Sequence, residues 1–449
     1  MNVILLSGGS GKRLWPLSND VRSKQLIKLF KNNDEYESMV QRVYRQITTV
    51  DADAKITIAT SKSQASAIKN QLGEKASIGI NVSVLKAGEN ISGIGYYTYR
   101  IVKELLDNDT ENEYYLFSNC ELSVHFPENS RVHNILYPCK NRLLWSRYLL
   151  GWQIRKLNLD IFWSPTHNLP FVKQKKTKYY MTVHDIANHI LENISQSKSS
   201  QQKYLRLILD HSCKIADRII VPSIATKNDL VEHFDVDPRK ISVIYEGGDK
   251  ETNVKPAGEQ ELKEKYQIKK PYFLYVGTLQ PRKNIETIVN AFLCLAKEEL
   301  TSQLVLAGGT GWGMDKVLEK IQKSESKDRI VLTGYVSEEE KAGLYKNAEA
   351  FLFPSLYEGF GIPILESFSY GVPVITAKNS SLPEVGGDAA IYIENVMSSE
   401  ELEERMKMVL GLSEADRILL SEKGIRQFNR FTWKKCAREI SELFCGKTV

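Results

Sequence analysis

Apolar runs alternate with helix-length segments along most of this 449-residue chain. From residue 77 onward, short runs rich in Val, Ile, Leu, Phe and Tyr are each followed by a stretch long enough for a helix. Such alternation predicts parallel strands with helices on both faces of the sheet. The first series of strand candidates is SIGINVSVLKAG, YYLFSN, RVHNILYP, DIFWSPT, KYYMTVHD, RIIVPS and ISVIYEG. The pattern therefore indicates an α/β protein with a doubly wound sheet.

The alternation stops once and then resumes, which predicts two such domains. It ends near residues 246–248, and the polar stretch 250–267 that follows is rich in Lys and Glu, as an interdomain linker often is. The second series is PYFLYVGTL, SQLVLAGG, RIVLTGYV, AEAFLFPS, VPVITA and AAIYIE. We predict Rossmann-like domains at 77–250 and 251–428 that face a cleft, and a helix within 429–449 that crosses back to the first domain.

Residues 1–76 form a block of their own ahead of these domains. Apolar runs at 3–6 and 55–60 predict two strands, and the segments 34–47 and 61–72 predict two helices, which gives a small βαβα fragment. A glycine loop with nearby cations follows the first strand, and such a loop suits a phosphate, although it fits neither a P-loop nor Gly-x-Gly-x-x-Gly. Its candidate phosphate-binding residues are Gly8, Gly9, Gly11, Arg13 and Lys24.

The stretch GGSGKRLWPLSNDVRSKQLIKLF in this block resembles the signature of sugar-1-phosphate nucleotidyltransferases, especially mannose-1-phosphate guanylyltransferases. The resemblance implies that the glycines, Arg13 and Lys24 hold a nucleoside triphosphate. It covers only the first block, and Ser23 stands where many members of that family have proline. We therefore interpret 1–76 as a truncated fragment that binds a nucleotide or packs against the rest of the chain. The alternative is that it retains nucleotidyltransferase activity.

Composition and charge fit an ordinary soluble protein, with 42% hydrophobic residues and a net charge of +5. No apolar run approaches the ~18 residues of a membrane span, and the N-terminus lacks the features of a signal peptide, so we expect a cytoplasmic location. The six cysteines show no CxxC spacing, which argues against a zinc knuckle or a disulfide framework. The mild charge gives no indication of a nucleic-acid partner.

One segment, residues 139–178, is unusually basic. It holds nine Lys and Arg residues and a single acid, Asp160. Aromatic and aliphatic residues are interleaved with the basic ones, as in surfaces that rest on anionic lipid. This pattern predicts a peripheral contact with the inner face of a membrane. The alternative is a solvated, charged face above a core helix.

Ligands of parallel sheets bind at the carboxyl ends of the strands. The first domain places Gly93, Gly95, His167 and His184 at such ends. The loop containing the two glycines precedes a helix that we predict to start at Tyr96, so its amides can face an anion. For this loop the alternative is a tight turn, and for each histidine it is a structural side chain.

The second domain carries the candidate chemistry. Arg282 and Lys283 follow a strand and the turn-forming Pro281, and adjacent cations of this kind suit a diphosphate, although a solvated basic turn is the alternative. Further on, PSLYEGFGIPILES places Glu358 in the loop after a strand and Glu366 about one turn into the next helix. We expect both acids to face one crevice.

These motifs occur in the order GTLQPRKN, AGGTGWG, TGYV and PSLYEGFGIPILES, and together they resemble the retaining family 4 glycosyltransferases of the GT-B fold. The resemblance runs from about residue 77 to the C-terminus. It implies that Glu366 accepts hydrogen bonds from the ribose of a nucleotide sugar and that Glu358 contacts the transferred sugar. It also implies that Arg282 and Lys283 balance the charge of the departing diphosphate.

The same resemblance assigns roles to further residues. His184 lines the sugar pocket, Gly93 and Gly95 approach the diphosphate, and the backbone near Tyr335 and Val336 meets the base. The remaining donor-binding residues are Gly277, Gly359, Phe360 and Gly361. The sequence shows no Asp-x-Asp motif or His cluster suited to a metal in this cleft, so we expect neither a metal nor a cofactor.

Three hypotheses for function follow. The first is a retaining, metal-independent hexosyltransferase that moves mannose from GDP-mannose to a glycan or lipid-linked acceptor in surface polysaccharide synthesis. The second adds nucleotidyltransferase activity in residues 1–76, which would make the chain bifunctional. The third is a nucleotide-binding subunit without catalysis, against which the intact Glu358, Glu366, Arg282 and Lys283 argue.

Overall fold

The computed structural model describes residues 2–7, 24–32, 35–51, 54–60, 64, 68, 76–88, 93–109, 112–191, 199–249, 254–298 and 301–445. The chain divides into two compact units. The first comprises Met1–Pro165, Leu169–Tyr180 and Ala437–Val449, and the second comprises Thr166–Asn168 and Met181–Cys436. The domain boundaries at 76, 250 and 428 stay predictions.

The N-terminal block contains two small sheets and one described helix of several turns. Strands β1 and β4 pair in parallel, and β2 and β3 form an antiparallel pair. The prediction of a helix from residue 34 was wrong at its start, because Ser38 and Gln41 form a capping box that begins the helix only after β3. The bounds are β1 Asn2–Ser7, β2 Lys28–Asn32, β3 Glu35–Ser38, α1 Met39–Val50 and β4 Lys55–Thr60.

Several predictions for this block lie outside the described residues. These are the loop residues Gly8, Gly9, Gly11 and Arg13, together with most of the predicted helix at 61–72. Lys24 lies in a short 3-10 turn, but its side chain is outside the described part of the chain.

A seven-stranded sheet follows, with the order β11-β10-β9-β8-β5-β6-β7. Counted from β5, this is the Rossmann order 3-2-1-4-5-6 with one additional strand at the edge. The pairs β5–β6, β5–β8, β6–β7 and β10–β11 are parallel. The bounds are β5 Ser77–Asn81, β6 Glu113–Ser118, β7 Val132–Leu136, β8 Ile161–Ser164, β9 Lys178–Thr182, β10 Arg218–Val221 and β11 Ile241–Val243.

Helices connect these strands. The first begins at Gly93 and not at Tyr96, so Gly93 and Gly95 lie in its first turn instead of in a preceding loop. The bounds are α2 Gly93–Asn108, an α-turn Arg142–Leu144 and a π-turn Trp145–Leu149 leading into α3 Leu150–Leu157, then α4 Ala187–Ile190, α5 Ser199–Ile215 and α6 Ile224–Phe234.

The second large sheet has six parallel strands in the order β14-β13-β12-β15-β16-β17. Counted from β12, this is again 3-2-1-4-5-6, so the prediction of two doubly wound, Rossmann-like folds is confirmed. The bounds are β12 Tyr272–Val276, β13 Gln303–Ala307, β14 Ile330–Gly334, β15 Ala350–Phe353, β16 Val374–Ala377 and β17 Ala390–Ile393.

The polar stretch that we interpreted as a linker contains a helix. Glu259 and Glu261 lie in its first turn and Lys263 and Lys265 in its last, which suits the helix dipole, and Leu262 is buried. This helix and those that follow are α7 Glu259–Tyr266, α8 Ile285–Glu298, α9 Asp315–Lys323, α10 Glu338–Asn347, α11 Ile362–Ser369, α12 Leu382–Gly386, α13 Ser399–Leu410, α14 Glu414–Phe428 and α15 Trp433–Phe444. Among the described residues, none of the helices combines the length and apolar character needed to cross a bilayer.

The core of the second unit is built around the central strands of the six-stranded sheet. Every residue of β13, β15 and β16 is buried, because helices cover both faces. Leu274 in β12 and Phe351 in β15 are fully inaccessible to solvent. This packed sheet fixes the strand ends from which the candidate site is built.

We expect Leu274→Ala to lower the free energy of unfolding by about 2–5 kcal/mol, because it leaves a cavity in a sheet buried on both faces. Urea denaturation followed by circular dichroism measures this change. The matched control is Leu419→Ala on α14, where the side chain is exposed and the expected change is within about 0.5 kcal/mol. Equal effects of the two substitutions would contradict the assignment of the core.

Candidate functional site

The loop between β15 and α11 carries Glu358 and has little conformational freedom. Gly361 has a φ of 115°, a conformation that favours glycine, and Pro363 lies in the first turn of α11. A Cβ added to Gly359 would lie 1.9 Å from the carbonyl oxygen of His184. Only glycine fits there, so this loop packs directly against the segment that follows β9.

Hydrogen bonds fix the same loop from the other side. The buried hydroxyl of Ser381 donates to the carbonyl oxygens of Glu358 at 2.9 Å and of Phe360 at 2.7 Å. The amide of Glu358 donates to Ser380 Oγ at 3.1 Å. The backbone that presents the Glu358 side chain is therefore held at three points, which sets the direction of the carboxylate.

Glu358 forms a buried cluster with the two predicted cations. Its Oε1 lies 2.6 Å from Lys283 Nζ and its Oε2 lies 3.1 Å from Arg282 Nη1. Burial raises the pKa of Glu358, but the charges of Lys283 and Arg282 outweigh burial and hold the pKa below its ordinary value. The carboxylate is therefore ionised, and each of its oxygens faces a cation.

Both cations are partly shielded from water, with side chains that are 25% exposed for Arg282 and 14% for Lys283. Burial lowers the pKa of Arg282, but the charges of Glu358 and Asp185 outweigh it and raise the pKa above the ordinary value. For Lys283 burial dominates and lowers the pKa, with partial compensation from Glu358. Two cations thus lie close to two carboxylates, Glu358 and Asp185, at the carboxyl edge of the sheet.

The turn that carries the cations is held by Asn284, which the sequence analysis missed. Asn284 is buried with a φ of 58°, and its Nδ2 donates to the carbonyl oxygens of Pro354 at 3.1 Å and Val396 at 2.6 Å. Thr287 Oγ1 donates to its Oδ1 at 2.8 Å. Asn after a proline-initiated turn is a usable signal, because Asn tolerates the left-handed region.

Glu366 lies one turn into α11, as predicted, and is held by two residues of α10. Tyr345 donates its hydroxyl to Oε2 at 3.0 Å, and Lys341 Nζ lies 3.3 Å from Oε1. Burial lowers the pKa of Lys341, but Glu366 and Glu338 together raise it well above the ordinary value. The spacing of four residues between Lys341 and Tyr345 places both on one face of a helix, but the sequence does not show that this face meets Glu366.

His184 follows β9 and pairs with Glu246, a residue to which the sequence analysis gave no chemical role. Nδ1 of His184 lies 2.9 Å from Oε1 of Glu246, and the two side chains are 13% and 6% exposed. His167 lies near this pair. Burial lowers the pKa of His167, partly opposed by Asp185, which favours a neutral ring.

Helix α6 joins these segments. Thr226 Oγ1 donates to the carbonyl oxygens of His184 and Gly359, both at 3.4 Å. The carboxylate of Glu384 accepts from the first-turn amides of Ile224 at 2.8 Å and Ala225 at 2.9 Å. The His184 segment, the Glu358 loop and α12 therefore form one connected region of the second unit.

The remaining predicted donor-binding residues differ in their surroundings. Phe360 is buried against the rings of Tyr245 and Phe431, so its side chain belongs to the core and only its backbone can meet a ligand. Gly277 has a φ of 141°, and Tyr335 is 75% exposed at the end of β14 beside the half-buried Val336.

The roles in ligand binding that the resemblance implies stay predictions. Gly93 and Gly95 belong to α2 in the first unit and the other donor-binding residues to the second. Within the described part of the chain, no group of three or more His, Cys, Asp and Glu side chains has the geometry of a metal site.

Three family models match the chain. Residues 258–423 match "Glycosyl transferases group 1", and residues 91–252 match "Glycosyltransferase Family 4". Residues 2–118 match "Nucleotidyl transferase", a region that continues past the N-terminal block into β5 and β6. The first two matches cover the six-stranded sheet, every strand of the seven-stranded sheet except β5, and the residues of the candidate site in the second unit.

Curated relatives are similar over different shares of their length. The chain is 28% identical to the O-antigen chain mannosyltransferase B of Escherichia coli over 369 residues, which is 78% of this chain and 94% of that protein. It is 28% identical to the O-antigen chain mannosyltransferase RfbU of Salmonella typhimurium over 255 residues, 56% of this chain and 66% of the relative.

A solved structure supports the fold. The Anabaena protein HepE in complex with UDP-glucose superposes with a TM-score of 0.60 at 15% sequence identity, covering 83% of this chain and all of that one. At this identity the similarity is one of fold. With the matched family models, it identifies the chain as a glycosyltransferase of the GT-B fold, whose family 4 and group 1 domains follow a nucleotidyl transferase-like segment.

Proposed function

We propose that this glycosyltransferase is a retaining mannosyltransferase that moves mannose from GDP-mannose to a glycan or lipid-linked acceptor during surface polysaccharide synthesis. The observation that carries the proposal is the buried cluster of Glu358, Arg282 and Lys283 at the carboxyl edge of the second sheet. Two relatives named as O-antigen mannosyltransferases support the sugar and the process. The nucleotidyl transferase-like segment supports the guanine nucleotide, because the enzymes that it resembles make GDP-mannose.

The cluster suits the departure of a nucleoside diphosphate. As the bond between the anomeric carbon and the phosphate oxygen breaks, negative charge develops on the diphosphate, and Arg282 and Lys283 are fixed to stabilise it. Such fixed cations can supply the electrostatic stabilisation that a divalent ion provides in other enzymes. Because the two cations engage both oxygens of Glu358, we assign this acid to positioning and electrostatics and not to covalent attack.

Glu366 suits the ribose of the donor. The contacts from Tyr345 and Lys341 orient the carboxylate, while a carboxylate oxygen has room for more than one hydrogen bond. Ribose hydroxyls can therefore donate to Glu366 without displacing its partners. This role concerns nucleotide affinity more than the chemical step.

A donor panel tests the proposal. We expect the purified full-length chain to release nucleoside diphosphate from GDP-mannose faster than from UDP-glucose, UDP-galactose or GDP-fucose, because the donor site would be selective for guanine and mannose. Coupled detection of GDP or UDP measures this release. Preference for a UDP sugar would contradict the assigned donor and leave the transferase class standing.

Glu366→Ala serves as the site variant in the same assay. We expect it to raise the KM for GDP-mannose by about tenfold or more, which corresponds to the loss of one or two hydrogen bonds to a charged group. The matched control is Glu349→Gln, since Glu349 pairs with Arg417 away from these residues. Unchanged kinetics of Glu366→Ala would remove Glu366 from the donor site.

The segment 139–178 supports a proposed membrane contact. Leu144, Tyr148 and Trp152 are exposed at intervals of four residues, a spacing that places them on one side of the helical segment. Arg155 and Lys156 are exposed nearby. Trp145, Leu150 and Ile154 on the same segment are buried, so the helix serves the core on one side and presents an apolar, basic stripe on the other. We propose that this stripe rests on anionic lipid at the inner membrane face.

We expect the triple variant Leu144→Ser, Tyr148→Ser, Trp152→Ser to bind anionic vesicles about tenfold more weakly than the unmodified chain, because it removes apolar area that lipid would cover. Co-sedimentation with phosphatidylglycerol-containing vesicles measures this. The control Ile418→Ser, Leu419→Ser removes exposed apolar residues of α14 and should not change binding. Equal binding by all three proteins would contradict the contact.

The match of residues 2–118 to a nucleotidyl transferase favours a second candidate function. If this segment is active, the chain should form pyrophosphate from GTP and mannose-1-phosphate, and Lys24→Ala should abolish that activity, because the resemblance assigns Lys24 to the triphosphate. A pyrophosphate assay measures the reaction. Absence of pyrophosphate from the unmodified chain would leave residues 1–76 as a binding or packing module.

A further inference from the structure

Glu246 is a buried acid to which the proposed function assigns no role. It follows β11 at the point where the first strand series ends, and it is 5% exposed. A carboxylate in such a place needs a partner, since an unpaired buried charge is costly. The partner in the structure is His184 Nδ1, at 2.9 Å from Oε1.

The position of Glu246 is fixed by its neighbours. A Cβ added to Gly247 would lie 2.2 Å from the backbone nitrogen of Trp433, so the chain passes too close for any other residue. The amide of Gly248 donates to the carbonyl oxygen of Phe431 at 3.2 Å. The two glycines thus bind the loop to the start of α15, and Glu246 is held at the end of a rigid segment.

The other acids near His184 have different hydrogen-bond or ion-pair partners. Asp185, its neighbour in sequence, accepts from the amide of Ala187 at 3.1 Å through Oδ1. Glu358 is engaged by Arg282 and Lys283. Glu246 is therefore the carboxylate that the described structure pairs with the Nδ1 atom of His184.

An ionised carboxylate accepts hydrogen bonds but cannot donate them. The pairing therefore places the hydrogen of a neutral His184 on Nδ1 and makes Nε2 the acceptor nitrogen. The carbonyl oxygen of the same histidine packs against Gly359, next to Glu358. We propose that Glu246 is a positioning residue for transfer: it fixes the ring orientation and tautomer of His184 so that Nε2 accepts a hydrogen bond from a hydroxyl of the transferred sugar.

This inference rests on the proposed function, because it assumes that His184 meets the sugar of the donor. If Glu246 acts through His184, a substitution of Glu246 should lower kcat only while His184 is present. A general structural role for Glu246 would lower activity whether or not the histidine is there.

The first experiment is a double-mutant cycle on the full chain, with diphosphate release from GDP-mannose as the readout. We expect Glu246→Leu to lower kcat by about tenfold to a hundredfold, by analogy with the loss when the orienting partner of a metal-bound histidine is removed. Glu246→Gln should recover part of that loss, since its amide oxygen can still accept from Nδ1. Affinity for free GDP, measured by calorimetry, should stay within about twofold, because His184 is assigned to the sugar.

The double variant His184→Ala, Glu246→Leu distinguishes a role of Glu246 through His184 from an independent role. It should be no slower than His184→Ala alone. If the fold-losses in kcat of the two single variants multiplied in the double variant, the two residues would act independently and the inference would be overturned. Glu349→Gln, which alters the partly buried pair with Arg417, is the matched control and should keep the kcat of the unmodified chain.

A second experiment does not depend on activity or on a variant that folds poorly. In the ¹⁵N-histidine NMR spectrum of the unmodified chain at pH 8, His184 should show a protonated Nδ1 and an unprotonated Nε2, with assignment from the spectrum of His184→Ala. A protonated Nε2 would overturn the inference. A third outcome is that the NMR spectrum shows the predicted tautomer but the chain releases diphosphate from none of the nucleotide sugars. That outcome would contradict the proposed function, and Glu246 would then orient a histidine that has no role in transfer.

Discussion

The cluster of Glu358 with Arg282 and Lys283 is the interaction on which the rest of the site depends. Three charges lie in a region from which water is largely excluded, and removal of one partner from such a group typically costs about 3–5 kcal/mol. The surrounding structure restrains all three members. Asn284 fixes the turn of the cations, Ser381 fixes the loop of the acid, and the buried strands β12 and β15 fix the distance between them.

The same loop also determines where His184 lies. Since Gly359 packs against the carbonyl oxygen of His184 and Thr226 donates to both segments, the geometry of the acid loop and that of the histidine are set together. Substitution at Gly359 would therefore displace two functional groups at once. Close backbone packing of this kind explains why a glycine follows Glu358 directly, in addition to the bend that the sequence alone suggests.

The strand alternation was sufficient to predict both Rossmann-like sheets. Glu358 and His184 follow strands β15 and β9, as predicted, while the binding roles assigned to them stay predictions. Local boundaries were less predictable: capping by Ser38 moved the start of α1, and α7 occupies a stretch that composition assigned to a linker. The pairings could not be derived, because Lys283 is 75 residues from Glu358 and His184 is 62 from Glu246. Such contacts depend on how the loops pack, which one sequence does not specify.

Glu384, whose carboxylate lies at the first turn of α6, resembles Glu358 in the kind of position that it occupies. Both groups place a negative charge of the protein where a phosphate would otherwise be stabilised, one at helix amides and the other between two cations. An anion that enters beside Arg282 and Lys283 must share them with a resident carboxylate. The gain on binding would therefore be smaller than for bare cations, which under the proposed function would favour release of the nucleoside diphosphate.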